Sequence, residues 1–75
     1  MVFAYVLINV KPGKTDDIIK SVKNIKGVEK VSAVYGEVDV VAELTANDLN
    51  TLRKIVLGQI HKIDGVNRTT TLLQA

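Results

Sequence analysis

The chain has 75 residues, none of them cysteine and only one of them histidine, His61. The lack of cysteine excludes a disulfide framework and a thiolate metal site. A single histidine argues against a zinc site made of protein side chains, which takes several ligands. His61 lies near the end of a predicted helix, where a cation interacts well with the helix C-terminus, so a structural role is favoured over a catalytic one. We expect no cofactor and no bound metal.

Long apolar runs are absent as well. No run approaches the ~18 residues that cross a membrane, and no basic segment precedes the first apolar stretch, as it does in a signal peptide. Ten basic and eight acidic residues give a net charge of +2, which is too balanced to indicate nucleic acid by itself. We therefore expect a cytoplasmic protein that does not contact a membrane.

Apolar, β-branched residues dominate what is present. Hydrophobic residues make up 47% of the chain, and 19 residues are valine or isoleucine, types that favour strands. A chain of this length forms one domain, near the size at which a single core is marginal. Residues 1–75 are therefore predicted to form a single domain built around a sheet.

The period of the apolar residues marks the predicted elements. Thr15 is the predicted N-cap of a first helix that runs to about Lys26, and Gly27 ends it. Asn47 or Asp48 is predicted to cap the second helix. The predicted strands are residues 2–10, 28–35, 38–45 and 66–73. The predicted buried face of the second helix consists of Leu49, Leu52, Val56, Ile60 and Ile63.

Two halves of the sequence are similar at an offset of 38 residues. Residues 25–31 match residues 63–69, and each half ends as a helix, a Gly-Val pair and a strand. Two such halves in a chain of this length predict the split βαβ, ferredoxin-like fold. The predicted class is α+β: a βαββαβ sandwich in which a four-stranded antiparallel sheet carries both helices on one face.

The first strand is apolar on both of its predicted faces. Ala4, Val6 and Ile8 share one face, and residues 3, 5 and 7 share the other. A sheet covered by helices on one side needs only one apolar face. Because 75 residues supply no third layer, we expect a second copy of the chain to cover the other face.

Several functions of this fold lack their required residues. A metal carrier needs a pair of closely spaced cysteines. An acylphosphatase needs an arginine in the first loop, and residues 11–14 contain none. An RNA-recognition domain stacks bases on aromatic residues in both central strands. The first strand has Phe3 and Tyr5, but the third strand has none, so RNA binding is not favoured.

Residues 34–41 are the most distinctive stretch of the chain. Two apolar arms flank Gly36, the residue type best able to adopt a positive φ, and Glu37 and Asp39 follow it. We interpret the stretch as a hairpin whose tip carries the chemistry. Two carboxylates could serve acid–base catalysis, but no base, electrophile or metal ligand accompanies them. An enzyme is therefore not expected.

In combination, these motifs resemble the effector-binding domain, often called the RAM domain, of the Lrp/AsnC family of transcription regulators. Members usually carry an N-terminal helix-turn-helix that binds DNA. This chain begins at the first strand, so it is similar to a stand-alone version, and direct DNA binding is not expected. The similar segments cover nearly the whole chain and include Ala4-Tyr5-Val6-Leu7-Ile8, Pro12-Gly13, Ile25-Lys26-Gly27-Val28, Val34-Tyr35-Gly36-Glu37-Val38-Asp39, Ile63-Asp64-Gly65-Val66 and Thr69-Thr70-Thr71-Leu72.

The resemblance implies that a small amino acid binds between subunits. Asp39 could pair with its ammonium group through a charge-assisted hydrogen bond. Backbone N–H groups around Gly36 and Val38 could receive its carboxylate, because short turns form anion-binding concavities. The alternative for Asp39 is a solvated hairpin residue with no ligand.

Three further residues complete the predicted site. Thr69 and Thr71 lie two apart on one face of the last strand and offer hydroxyl groups. Tyr35 could cover the side chain of the amino acid. For the threonines the alternative is ordinary β-propensity.

The resemblance also implies partners. The first is a second copy that packs sheet on sheet, and such dimers join into a larger closed assembly. A stand-alone module could also join full-length Lrp/AsnC regulators. Two other functions remain open at this point: an oligomerisation module without a ligand, and a small dimeric ferredoxin-like enzyme such as a cofactor-free monooxygenase.

Overall fold

The computed structural model describes residues 1–75 and has four strands and two helices in the predicted order. The second helix continues directly into a π-helical segment. The strands are β1 (Val2–Val10), β2 (Val28–Ala33), β3 (Val40–Ala46) and β4 (Val66–Leu73), and the helical segments are α1 (Thr15–Lys23), α2 (Leu49–Ile55) and the π-segment Val56–Ile60.

The four strands form one antiparallel sheet in the order β2-β3-β1-β4. The central strand β1 pairs with β3 from Val2 opposite Ala46 to Ile8 opposite Val40. On its other side β1 pairs with β4, with a register shift between Asn9 and Val10. This is the ferredoxin-like arrangement, so the predicted fold class is confirmed.

The core lies between one face of the sheet and the helices. Alternate residues of β1 and β3 point to that face, as the period of a strand requires. No polar or charged residue is buried, so the fold depends on apolar burial and backbone hydrogen bonds. The fully buried residues are Ala4, Val6, Ile8, Ile18, Val22, Val40, Ala42, Leu44 and Ile60, and Ala46, Leu52, Ile55 and Val56 are nearly so.

The opposite face of the sheet, which we call the open face, carries no helix. Phe3, Tyr5 and Leu7 on β1 are only half-buried there, and the rings of Phe3 and Tyr5 meet edge to face at 5.3 Å between centroids. Leu72 on β4 is 48% exposed. Across the strands Val41 lies opposite Leu7, and Glu43 lies between Tyr5 and Lys30. The open face is therefore an apolar surface bordered by charged residues.

The ends of α1 differ from the prediction. The helix already includes Thr15, its N-cap is Lys14, and no side chain caps it. It ends at Lys23, not Lys26, because the N–H of Asn24 turns back to the carbonyl of Ser21. Gly27 lies in the turn after the helix with φ +100°, so it shapes the entry to β2 instead of ending α1.

The second helix begins as predicted. Asp48 is its N-cap, and its carboxylate accepts a 2.8 Å hydrogen bond from the N–H of Thr51. Leu49, however, is 51% exposed, so it does not belong to the buried face on which it was placed. The π-segment closes with the N–H of His61 donating to the carbonyl of Val56.

The inner ends of β2 and β3 also differ from the prediction. The two strands were expected to reach residues 35 and 38, with a short turn between them. They stop at Ala33 and Val40 instead. Between them, the N–H of Val34 still donates to the carbonyl of Asp39, and residues 37 and 39 hydrogen bond to the end of β1.

The cap at Asp48 predicts a pH dependence of stability. Hydrogen bonds from Thr51, aided by Lys54, lower the pKa of Asp48 below its ordinary value of 3.8. A lowered pKa in the folded state contributes stability above the unfolded pKa, and the contribution is lost as pH falls through the folded pKa. Asp48→Ala should lower the urea midpoint at pH 7, and its difference from the native chain should shrink at pH values below 3.8.

Asp48→Asn is the matched control, because asparagine caps helices about as well but does not titrate. Its urea midpoint should stay near the native value at pH 7. The cap interpretation would be wrong if Asp48→Ala unfolded at the same urea concentration as the native chain at pH 7.

Candidate ligand-binding loop

Residues 34–39, which we call the β2–β3 loop, form a compact projection at one end of the sheet. The N–H of Val34 donates to the carbonyl of Asp39 at 2.9 Å and closes the loop at its base. Gly36 has φ +144° and no atom within 4 Å of the position that a Cβ would occupy. The backbone conformation, not a lack of space, therefore favours glycine there. Tyr35 is fully exposed.

Three hydrogen bonds hold this loop against the end of β1. The N–H of Asp39 donates to the carbonyl of Ile8 at 3.0 Å. The N–H of Val10 donates to Oδ2 of Asp39 at 2.9 Å. The side-chain amide of Asn9 donates to the carbonyl of Glu37 at 2.7 Å. The loop is thus fixed by three consecutive residues of the central strand.

The Asp39 carboxylate replaces a backbone acceptor. The register of β1 with β3 ends at the pair of Ile8 and Val40. Beyond it no carbonyl of β3 meets the N–H of Val10, and Oδ2 of Asp39 accepts this bond. A buried or half-buried N–H left without an acceptor costs stability, so Asp39 has a structural role that the sequence analysis did not predict.

The same loop presents free donors and a free acceptor. The backbone N–H groups of residues 35–38 donate no hydrogen bond within the chain. Oδ1 of Asp39 accepts none, and no cation pairs with Asp39, because the one ion pair of the chain joins Lys14 and Asp64. Free N–H groups beside a carboxylate suit a ligand that carries an anionic and a cationic group.

Thr69 and Thr71 lie away from the loop. They occupy β4, where Thr69 is opposite Ile8 and Thr71 is opposite Val6, so β1 separates them from β3, the strand that follows Asp39. The structure brings together Tyr35, Gly36, Val38 and Asp39 from the predicted set, and it does not bring the two threonines to them within one chain.

Each threonine has its own surroundings. The hydroxyl of Thr69 is 3.4 Å from Nδ1 of His61. Thr71 borders an apolar groove of about 300 Å³ between α2 and β4. The other residues that line this groove are Leu49, Leu52, Arg53, Val56, Leu57 and Leu73.

Asn9 is a residue of the loop region that sequence reasoning missed. Asn9 was not among the predicted site residues. A signal was nevertheless present, because Asn9 is the polar residue that ends the apolar alternation of Phe3, Tyr5 and Leu7 along β1. Its side chain is the only one from outside the loop that hydrogen bonds to the loop.

The chain forms neither a cluster of metal ligands nor a helix that could cross a membrane. No three histidine or carboxylate side chains lie close enough together to hold a metal ion. Neither helix combines the length and the apolar character that crossing a membrane would take.

Comparison with known sequences agrees with this geometry. The profile of the Lrp/AsnC ligand-binding domain matches residues 3–74. The chain is 33% identical over 73 residues to an uncharacterised helix-turn-helix-type transcriptional regulator of Pyrococcus furiosus, and 27% identical over 70 residues to one of Pyrococcus abyssi. Each match covers 93% of this chain but only 49% and 44% of the two regulators. The chain thus spans about half the length of the curated relatives it matches.

Solved structures share the fold over its full extent. A crystal structure of a Thermus thermophilus protein is 31% identical, with a TM-score of 0.96, and the match covers 100% of this chain and 94% of that one. A transcriptional regulator of Neisseria meningitidis, crystallised with L-methionine, is 21% identical with a TM-score of 0.90 over 99% of this chain and 49% of its own. The latter likeness shows the fold alone.

The resemblance found in the sequence is therefore confirmed by the profile and by the fold. The match includes all four strands, both helices and the β2–β3 loop. The chain belongs to the Lrp/AsnC family, and residues 3–74 match its ligand-binding domain.

Proposed function

We propose that the chain is a non-enzymatic sensing module that binds a small amino acid at the β2–β3 loop. The observation that carries this proposal is the loop itself, which within six residues holds four backbone N–H groups without partners and the unpaired Oδ1 of Asp39. The family profile, which describes a ligand-binding domain, and the regulators among the relatives support it.

The chemistry of the loop matches a free amino acid. Its ammonium group donates to Oδ1 of Asp39, a charge-assisted bond of the stronger kind. Its carboxylate accepts from the N–H groups around Gly36 and Val38. Tyr35, fully exposed in the single chain, closes over the amino-acid side chain. The meningococcal relative crystallised with L-methionine makes an amino acid a reasonable ligand class here.

The complete site lies between copies of the chain. Thr69 and Thr71 are separated from Asp39 by β1, so one bound amino acid does not contact both groups of one chain. We therefore propose that the loop of one copy and the β4 threonines of another meet around the amino acid. A site shared between copies stabilises the assembly whenever it is occupied, because the amino acid binds only the assembled state.

The open face supplies the dimer contact. Its half-buried Phe3, Tyr5 and Leu7, together with Leu72, form the kind of contiguous apolar patch that marks an interaction site. Packing two open faces against each other gives each sheet its missing third layer. Such dimers join further into a closed assembly in the cytoplasm. The same contacts allow the module to join full-length Lrp/AsnC regulators.

An amino-acid panel tests the sensing function. Each of the twenty L-amino acids is added to the purified protein, and the melting temperature is measured. At a hundredfold excess over its Kd, a bound amino acid should raise the melting temperature by about 10 °C. If none of the twenty shifts it, the sensing function is rejected.

Leu7→Glu tests the dimer contact. A charge in the middle of the open face opposes its burial, so this variant should be monomeric in light scattering at micromolar concentration, where the native chain is dimeric or larger. Leu57→Glu is the matched control, because Leu57 is 53% exposed on the helical side. A monomeric native chain would reject the assembly.

Asp39→Asn tests the ammonium contact. An asparagine oxygen still accepts from the N–H of Val10, so the loop stays anchored while the charge is removed. Affinity for the amino acid found in the panel should fall about tenfold or more, since bonds to charged groups contribute about 1.5–3 kcal/mol. Assembly should not change. Glu37→Gln, an exposed carboxylate in the same loop, serves as the control. An unchanged affinity in Asp39→Asn would overturn the contact between Asp39 and the ammonium group.

A further inference from the structure

Asn9 holds one peptide group of the β2–β3 loop through its side chain. Its Nδ2 donates to the carbonyl of Glu37 at 2.7 Å, the shortest of the hydrogen bonds that hold this loop. Asn9 is the last residue of β1 on the open face, and it is half-buried. Strand pairing on both sides of β1 fixes its backbone, because Ile8 lies opposite Val40 and Thr69.

That carbonyl determines the direction of a neighbouring N–H. The carbonyl of Glu37 and the N–H of Val38 belong to the same peptide group, which is planar, and in the trans form the two point in opposite directions. The chain has no cis peptide bond. Drawing the Glu37 carbonyl toward β1 therefore aims the Val38 N–H away from β1, where it has no partner within the chain.

The rest of the loop would not fix this peptide by itself. The bonds of Asp39 to Ile8 and Val10 anchor the end of the loop. Gly36, just before Glu37, has no atom near its Cβ position and the widest conformational freedom of any residue type. Without the Asn9 amide, the peptide between Glu37 and Val38 is free to rotate relative to β1.

We propose that Asn9 is a positioning residue that aims the Val38 N–H at the carboxylate of the bound amino acid. This inference rests on the proposed function, and it assigns a role to a residue outside the loop. Asn9 does not contact the amino acid. It lowers the entropic cost of binding because the Val38 N–H already points in the direction that the bound carboxylate requires, as in other preorganised sites.

The test compares the bound amino acid with its carboxamide, which keeps the ammonium group but lacks the negative carboxylate. The amino acid that the twenty-member panel identifies is titrated into the native chain and Asn9→Ala, and so is its carboxamide, which lacks the carboxylate. Asn9→Ala should weaken binding of the amino acid about three- to tenfold, the range of one hydrogen bond. Binding of the carboxamide should change less than about twofold, because its neutral carbonyl accepts a weaker hydrogen bond from the Val38 N–H than a carboxylate does.

Two further variants sharpen the comparison. Asn67→Ala removes an exposed asparagine of β4 that makes no side-chain hydrogen bond, so it should change neither affinity. Asn9→Gln keeps an amide donor and should recover part of the loss. Light scattering should give the same assembly size for all variants.

The outcomes distinguish failure of the positioning role of Asn9 from failure of the proposed amino-acid binding. If Asn9→Ala weakens binding of the amino acid and of its carboxamide equally, Asn9 has only a structural role and the proposal is overturned. The proposal is also overturned if Asn9→Ala weakens binding of neither. If the native chain binds none of the twenty amino acids, the proposed function fails. Backbone ¹⁵N relaxation then decides the loop contact alone: higher mobility of Val38 in Asn9→Ala supports it, and unchanged mobility overturns it.

Discussion

The pairing of β1 with a neighbour on each side is the constraint on which the rest of the structure depends. Its helix-facing residues Ala4, Val6 and Ile8 are fully buried and form the middle of the core. Its other face makes up the apolar centre of the open face. Its last three residues anchor the β2–β3 loop. A change in the register of β1 by one residue would exchange its two faces, so the core, the open face and the loop are determined together.

The β2–β3 loop illustrates how a segment that leaves the sheet is held in place by a few hydrogen bonds. Six residues leave the sheet. Hydrogen bonds within the loop and to β1 take the place of those that continued strand pairing would have made. Oδ2 of Asp39 accepts one of these hydrogen bonds, from the N–H of Val10, and Oδ1 accepts none. The N–H groups of residues 35–38 have no partner within the chain, and the contact of Asn9 with the Glu37 carbonyl fixes the direction of the Val38 N–H. Fixed donors bind an anion at a smaller entropic cost than mobile ones.

In the proposed function, the open face connects this loop to assembly. A two-layer sandwich of 75 residues buries only 14 of them, and the aromatic pair of Phe3 and Tyr5 remains half-exposed. Covering that face with a second copy would add apolar burial that the chain cannot provide alone. Thr69 and Thr71 pair with the buried Ile8 and Val6 and lie on the helix-facing side of the sheet, so a further contact between dimers would bring them to the loop of another copy. In the proposed function, binding and assembly are linked for this reason.

The amino-acid sequence by itself determined the elements with a long, regular period. The bounds of β1 and β4 were predicted correctly, because an apolar run ending at Lys11-Pro12-Gly13 marks β1 and the Gly65-Val66 pair marks the start of β4. Asp48 was predicted as a cap because its carboxylate acts locally. The internal repeat of helix, Gly-Val and strand was sufficient for the topology. The Gly-x-x-Asp motif identified the loop, and with it Gly36, Val38 and Asp39.

Only the tertiary structure decided what depends on contacts between distant residues. The strands around the loop are shorter than predicted because Asp39 hydrogen bonds to Val10, 29 residues away in sequence, and β-propensity contains no information about such a partner. The role of Asn9 depends on a contact across 28 residues. Thr69 and Thr71 share a face as predicted, but the strand order places β1 between them and the loop. Local periodicity determines which face a residue occupies, whereas the order of strands in space determines which residues meet.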